Sequence, residues 1–239
     1  MEVEIYDLGG NTTALVTNRL GDEEALIVAG KIMKNYPEVE QVGMILDANQ
    51  GFCTFRMMGG EFCGNACRAV AEFMRRNYGF EECEIVINGI KTKAKSNGRE
   101  SEVVIPRDEL VRRVESSGEQ FIVYMNGITH IVIPQDFDDT EKVAEQIKQD
   151  YEERNKITDA LGVNFLVGNK INPFVWVTKA KTFFNETACL GGSIAAAMLL
   201  NPSGKSIITQ PSGENYEITI DGKNIVARGR VSFVGDFVV

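Results

Sequence analysis

The sequence predicts a mixed α+β protein built from two similar lobes. Two strands, a helix, two more strands, a cysteine and a second helix follow one another in the first half, and the order recurs in the second. In both halves a strand-like run precedes the cysteine and an alanine-rich helical pattern follows it. These observations predict one lobe over residues 1–115 and a second lobe over residues 116–230.

The first half shows two helical patterns among short alternating runs. Apolar residues at helical spacing predict an amphipathic helix over 22–35. A second helix is predicted over 64–78 and ends near Gly79, because glycine is favoured just beyond the last turn of a helix. Strands are predicted at 2–8, 12–17, 40–47, 52–58, 83–87, 91–95 and 102–106.

A charged and polar stretch from Arg107 to Gln120 is the best boundary between the lobes, because it lacks a clear apolar period. Beyond it, helical patterns predict a long helix near 139–153 and a shorter one over 191–200. Strands are predicted at 120–125, 129–133, 163–168 and 173–178, and three more strands follow the last helix.

Composition limits the possible functions. The 239 residues carry a net charge of −9 with scattered Lys and Arg, so neither a nucleic acid nor an anionic membrane is an expected partner. No apolar run approaches the ~20 residues of a membrane span, and the N-terminus lacks the pattern of a signal peptide. We expect a cytoplasmic protein that acts on small molecules.

The cysteines divide into two groups. There are five, with no Cys-x-x-Cys pair and a single histidine in the chain, so neither a disulfide framework nor a metal site is expected. Cys53, Cys67 and Cys83 are predicted to be inert packing residues. Cys63 and Cys189 each precede a predicted helix, where free backbone amides and the helix dipole favour a thiolate and can bind a carboxylate. Two such thiols facing a bound carbon acid could remove a proton from one face and return it to the other.

Several motifs resemble the diaminopimelate epimerase-like family of cofactor-independent amino-acid racemases and epimerases. They are Cys63-Gly64-Asn65-Ala66 and Glu186-Thr187-Ala188-Cys189-Leu190-Gly191-Gly192, with Gly10-Asn11 and Gln41-Val42. The resemblance covers nearly the whole chain. It implies two pseudo-symmetric lobes, each a curved, mostly antiparallel, barrel-like sheet around a central helix, with a final strand at about 231–239 returning to the first lobe. It also implies an amino-acid substrate and no cofactor, and it leaves a homodimer open.

The resemblance also implies roles for individual residues. Cys63 and Cys189 would be the two catalytic bases. The backbone amides of Gly64, Asn65, Gly191, Gly192 and Ser193 would hold the α-carboxylate of the substrate. Asn11, Gln41 and Asn164 match polar positions that line the substrate pocket.

Departures from the pattern concern the choice of substrate. Lys181 and Thr182 occupy the positions where diaminopimelate epimerases have an acidic residue and an arginine. The chain is therefore expected to lack the pair of side chains that binds a second amino-acid head group. The segment from Glu61 to Ala66 resembles the histidine racemases of the family more closely. We therefore expect a racemase for a single-headed amino acid, with histidine first. Leu190 stands where a glycine is expected after the second cysteine, so its side chain is expected in the second carboxylate cradle.

Other interpretations stay open at this stage. The nearest are a diaminopimelate epimerase and a racemase of another amino acid such as glutamate or proline. A phenazine-biosynthesis-like isomerase is less favoured, because that group uses a carboxylate in place of the thiols, and an inactive amino-acid-binding module would require a broken motif. His130 is interpreted as a strand residue rather than a catalyst, and Phe183-Phe184 as either a pocket wall or part of the core.

Overall fold

The computed structural model describes residues 1–154 and 159–238 and has a mixed α+β fold dominated by strands. The first half of the chain follows the predicted order. Its elements are β1 Glu2–Leu8, β2 Asn11–Val16, α1 Asp22–Asn35, β3 Gln41–Asn49, β4 Phe52–Met57, α2 Gly64–Tyr78, β5 Glu82–Ile87, β6 Ile90–Ser96 and β7 Glu100–Pro106.

The second half contains more elements than its sequence pattern predicts. They are α3 Arg107–Leu110, β8 Val111–Ser117, β9 Gln120–Met125, β10 Ile128–Ile133, α4 Thr140–Glu153, β11 Ala160–Val167, β12 Lys170–Val177, β13 Thr182–Asn185, α5 Leu190–Leu200, β14 Gly204–Thr209, β15 Asn215–Ile220, β16 Asn224–Arg230 and β17 Ser232–Val238. Residue 239 of the predicted final strand lies outside the described residues.

Two long helices lie at the centre of the sheet-rich structure. Helix α2 is buried from Gly64 to Met74 and packs against β5, β6 and β7, as well as β1 and β2. Helix α5 is apolar on nearly all sides and packs against β10, β11, β14 and β15. The prediction that α2 ends at Gly79 is confirmed, because Gly79 caps the helix in the left-handed conformation with φ 76°.

The described strands pair into one continuous sheet that brings distant parts of the chain together. Strand β16 pairs antiparallel with β7, and β17 pairs antiparallel with β1. None of the described helices has an apolar run long enough to cross a lipid bilayer.

Three details of the predicted order are wrong. The stretch 107–120 forms α3 and β8, and β8 pairs with β9 while most of its side chains stay exposed, so no apolar alternation appears in the sequence. Strand β13 has only four residues, which is too short to produce a period. Four strands rather than three follow α5, because β16 and β17 are separated only by Val231 and no turn residue marks the break.

Candidate active site

The two predicted cysteines occupy the same position at the starts of two helices. Cys63 caps α2 with φ −132° and ψ 111°, and Cys189 caps α5 with φ −127° and ψ 110°. Each sulfur accepts a hydrogen bond at 3.4 Å from a backbone amide three residues later, Ala66 for Cys63 and Gly192 for Cys189. The repeated sequence pattern therefore produces the same local geometry twice.

The starts of α2 and α5 lie against each other, and both cysteines line one cavity. A Cβ at Gly64 would lie 2.6 Å from Leu190 Cδ2, so only glycine permits this approach. Leu190 is buried and fills the space beside Gly64 as well as lining the cavity. Asn65 Nδ2 donates a hydrogen bond at 3.0 Å to the carbonyl oxygen of Ala188 and so ties the two helix starts together.

A chain of polar side chains supports Cys63. The Cys63 thiol donates to Gln41 Oε1 at 3.1 Å. Gln41 Nε2 donates in turn to Asn11 Oδ1 and Thr13 Oγ1, both at 2.7 Å. Asn11 Nδ2 donates to Glu40 Oε2 at 2.6 Å. Gln41 therefore lines the cavity as expected, whereas Asn11 is fully buried behind it and positions the Gln41 amide.

Different groups surround Cys189. The Gln210 Oε1 atom accepts a hydrogen bond at 2.9 Å from the Cys189 backbone amide. Ser193 Oγ donates to the Cys189 carbonyl at 2.6 Å and accepts from Gln210 Nε2 at 2.8 Å. Glu186 lies three residues before Cys189 and lines the same cavity. Ser193 thus stabilises the helix start and does not line the cavity, and Gln210 is a supporting residue for which the sequence shows no signal.

His130 and Asn164 lie behind the second helix start. His130 belongs to β10 as expected, and its ring fits between Gly162 and Gly191, where added Cβ atoms would lie 2.2 Å from Nδ1 and 2.4 Å from Nε2. Asn164 Nδ2 lies 3.3 Å from His130 Nδ1 and donates to the Ile131 carbonyl at 3.0 Å. Of this pair only His130 lines the cavity, so Asn164 supports the site from behind rather than lining it.

Gly192 is confined in the same way as Gly191. A Cβ at Gly192 would lie 2.0 Å from Asn164 Oδ1. Gly191 lines the cavity and Gly192 does not, although the Gly192 amide reaches the Cys189 sulfur. The two glycines therefore permit close packing behind α5 and leave first-turn amides directed toward the site.

Burial dominates the electrostatics of the two thiols. It raises the pKa of both Cys63 and Cys189 well above the usual range, while the backbone amides at Ala66 and Gly192 act in the opposite direction. The expectation that the helix position favours a thiolate is therefore wrong for the net effect in this cavity. Desolvation of the thiolate outweighs the amides and the helix dipole, so both sulfurs are protonated at neutral pH.

Two carboxyl groups and a neutral histidine share the site. Burial raises the pKa of Glu61 to about 7 and that of Glu186 to about 8, and the negative charge of Glu40 adds to the rise for Glu186. Burial lowers the pKa of His130 to about 3, so its ring is uncharged at neutral pH. The sequence motifs contain Glu61 and Glu186, but their burial depends on residues distant in the chain.

The remaining wall of the cavity is mostly apolar. Phe184 lines it, whereas Phe183 stacks on Phe174 with ring centroids 5.9 Å apart, so the pair is divided between the pocket wall and the core. Thr182 lines the cavity and Lys181 does not. The other three cysteines are buried in the hydrophobic core, which confirms their interpretation as packing residues: Cys53, Cys67 and Cys83.

The fold and the sequence are both similar to those of known proteins. The fold is that of a predicted epimerase from Pseudomonas aeruginosa, at 10% identity and a TM-score of 0.67 over 100% of this chain and 98% of that one. A PhzF-family phenazine biosynthesis protein from Enterococcus faecalis has 13% identity and a TM-score of 0.59 over 98% and 97% of the two chains. A histidine racemase of Fusobacterium nucleatum is 27% identical over 254 residues, which cover 93% of each chain.

The protein is an isomerase of the amino-acid racemase and epimerase class. More narrowly, the model of the family described as histidine racemase CntK N-terminal domain matches residues 9–231. The chain belongs to that family.

Proposed function

We propose that this protein interconverts L- and D-histidine with Cys63 and Cys189 as its two catalytic bases. The main support is the matched geometry of the two thiols, which cap two helices and line the same cavity. Membership of the histidine racemase family and the Fusobacterium nucleatum relatives named histidine racemase support the choice of substrate.

The first turns of α2 and α5 bind the α-carboxylate. Gly64 and Gly191 expose backbone at the cavity surface, where the first-turn amides of a helix have no partner within it. The positive ends of both helix dipoles stabilise the carboxylate and the extra negative charge that it takes up when the Cα proton leaves. Apolar residues such as Val175 and Phe184 exclude water and strengthen these interactions.

The proton transfers require one thiolate and one thiol. In the direction that starts at Cys189, the Cys189 thiol first loses its proton to solvent water, which leaves a thiolate beside the neutral carboxyl group of Glu186. The thiolate removes the Cα proton from one face of the substrate, and the Cys63 thiol donates its proton to the opposite face. These transfers leave a Cys63 thiolate and a Cys189 thiol. The pair either catalyses the reverse direction or returns to its starting protonation state by proton exchange with solvent.

We also propose the finer architecture that the motifs imply. The two helix starts and the strands around α2 and α5 support two pseudo-symmetric, diaminopimelate epimerase-like lobes over 1–115 and 116–230. The pairing of β17 with β1 supports assignment of the final strand to the first lobe. A homodimer stays a prediction, which sedimentation velocity of the purified protein would test.

Proton NMR in D2O tests the substrate. Reduced protein is incubated separately with L-histidine, L-glutamate, L-proline and diaminopimelate, and the Cα–H signal is followed together with the enantiomer ratio by chiral chromatography. We expect loss of the signal and appearance of the D-enantiomer for histidine. Exchange with another amino acid and none with histidine would refute the substrate assignment, and no exchange with any of them would refute racemase activity.

A further inference from the structure

Glu61 is a buried carboxyl group on the cavity wall that lacks a full set of partners. The residue is 5% exposed, and its carboxyl group lies close to the backbone at Gly59. Its Oε2 atom is buried without a hydrogen-bond partner among the described residues. A buried carboxyl oxygen with no partner is costly, and this one lies beside a ligand cavity, where a bound ligand can supply the missing donor.

We propose that Glu61 is the specificity-determining residue that accepts a hydrogen bond from a ring N–H of the substrate imidazole. This inference rests on the proposed function. It concerns recognition of the substrate side chain and assigns no proton transfer at Cα to Glu61.

The position of Glu61 suits this role. Glu61 lies two residues before Cys63 and lines the same cavity as both sulfurs. A Cβ placed on Gly59 would lie 2.5 Å from Glu61 Oε2 and 2.2 Å from Val177 Cγ1, so Oε2 and Val177 approach the same point of the backbone. Val177 pairs across β12 and β13 with Thr182. Glu61, Val177 and Thr182 therefore belong to one wall of the cavity.

The polar atoms on this wall can form hydrogen bonds with both nitrogens of an imidazole ring. Thr182 Oγ1 is a second buried atom with no hydrogen-bond partner in the described part of the chain. A neutral imidazole has one N–H donor and one acceptor nitrogen, which are separated by a single carbon of a flat ring. The Glu61 carboxylate takes the donor, the Thr182 hydroxyl donates to the acceptor, and Val175 and Val177 contact the ring faces.

The polar groups of the cavity disfavour the competing substrates. Glu40, Glu61 and Glu186 line it, and in the described ranges no Lys or Arg does. A glutamate side chain or the distal carboxylate of diaminopimelate would therefore be buried among acidic side chains without a cationic partner. A proline ring would leave Glu61 Oε2 unpaired. The cavity thus selects a side chain that donates a hydrogen bond and carries no carboxylate.

The test compares histidine with β-(2-thienyl)alanine, whose flat five-membered ring has a similar size and no N–H. Binding and turnover of both are measured by Cα–H exchange in D2O, or by competitive inhibition of histidine racemisation where the thienyl compound does not turn over. The proteins are wild type, Glu61→Gln, and the control Glu119→Gln, which removes an exposed carboxyl group in the turn between β8 and β9.

We expect Glu61→Gln to lower kcat/KM for histidine by about 10- to 100-fold, mainly through KM, because a charge-assisted hydrogen bond is lost. The affinity for the thienyl compound should stay within about threefold, since it makes no such bond. Glu119→Gln should match wild type on both ligands.

Unchanged kcat/KM for histidine in Glu61→Gln would overturn the inference, and so would an equal loss of affinity for both ligands, which indicates a purely structural role. Either result would leave histidine racemisation by the wild type intact. Failure of the wild type to exchange any amino acid would instead refute the proposed function.

Discussion

The two cysteines show how far a local pattern predicts a residue's chemistry. Cys63 and Cys189 cap helices as their flanking residues predict, and both sulfurs accept amide hydrogen bonds. The direction of their pKa shifts is not predictable in the same way, because it depends on burial by residues far away in the chain, such as Val175 and Phe184. For the same reason the motifs could not indicate that Gln210 supports the backbone at Cys189.

Replacing either sulfur should stop racemisation. We expect Cys63→Ser and Cys189→Ser each to lower kcat by on the order of 10²- to 10⁴-fold, since a hydroxyl is a far weaker acid than a thiol and each base is needed once per turnover. The control Cys83→Ala removes a buried sulfur from the core and should cost about 1 kcal/mol of stability without changing kcat. Chiral chromatography of the products measures the rates. A serine variant with near-normal turnover would remove its cysteine from the mechanism.

Glu61 makes stability depend on pH. Burial raises its pKa to about 7 in the folded protein from an ordinary value of 4.5, with Asp159 adding to the rise and Lys179 opposing it. Between these values the folded state holds more protons than the unfolded state, so this group lowers stability as pH rises through that window.

The Glu61→Gln variant has no titrating group at this position, so it does not lose stability in this way as the pH rises. Its stability relative to wild type should therefore increase by about 3 kcal/mol between pH 4 and pH 8. Urea unfolding at a series of pH values measures the difference, with Glu119→Gln as the exposed control. A difference that stays constant across this range would show that the Glu61 carboxyl is not desolvated.

Helices and strands with a strong apolar period are predicted well from the sequence, whereas short or exposed elements are not. The bounds of α1 and α2 follow from apolar spacing and from Gly79. Strand β8 is missed because it is exposed on most of its length, and β13 because it is short. Asn11 and Asn164 are predicted to line the pocket, and Ser193 to hold the carboxylate through its backbone amide. All three lie behind the residues that line the cavity.

The start of α5 should tolerate no side chain at Gly191. We expect Gly191→Ala to destabilise the protein by about 1–3 kcal/mol, because its Cβ would lie 2.4 Å from Nε2 of the buried His130 ring. The matched control is Gly30→Ala in α1, where the added Cβ meets no described atom within 4 Å apart from its chain neighbours and the backbone of its own helix. This change should stabilise the protein by about 0.5–1 kcal/mol. Thermal unfolding compares the two. Equal effects would show that His130 is not packed against α5.

At the scale of the whole molecule, the pairing of β7 with β16 and of β1 with β17 connects the two halves of the chain. Such pairings join residues more than a hundred positions apart, so no local period predicts them. The cleft between the helix starts likewise exists only after the two halves meet, although the duplicated motif indicates which residues it contains.

These pairings predict that the two halves unfold together. Trp176, the only tryptophan, reports on the second half, while far-ultraviolet circular dichroism reports on the entire chain. We expect the two signals to give the same midpoint and slope in urea. Separate transitions would show that the halves are independent in stability.

In the proposed mechanism, one thiol removes the proton from one face of Cα and the other thiol delivers a proton to the opposite face. Wild-type protein is incubated with L-histidine in D2O, and both enantiomers are isolated at low conversion and analysed by mass spectrometry. We expect deuterium at Cα in the D-histidine product and hydrogen in the recovered L-histidine, because the proton removed by one thiol is not the one delivered by the other. Product that retains the original hydrogen would contradict it, since a single base would then return the proton that it had taken.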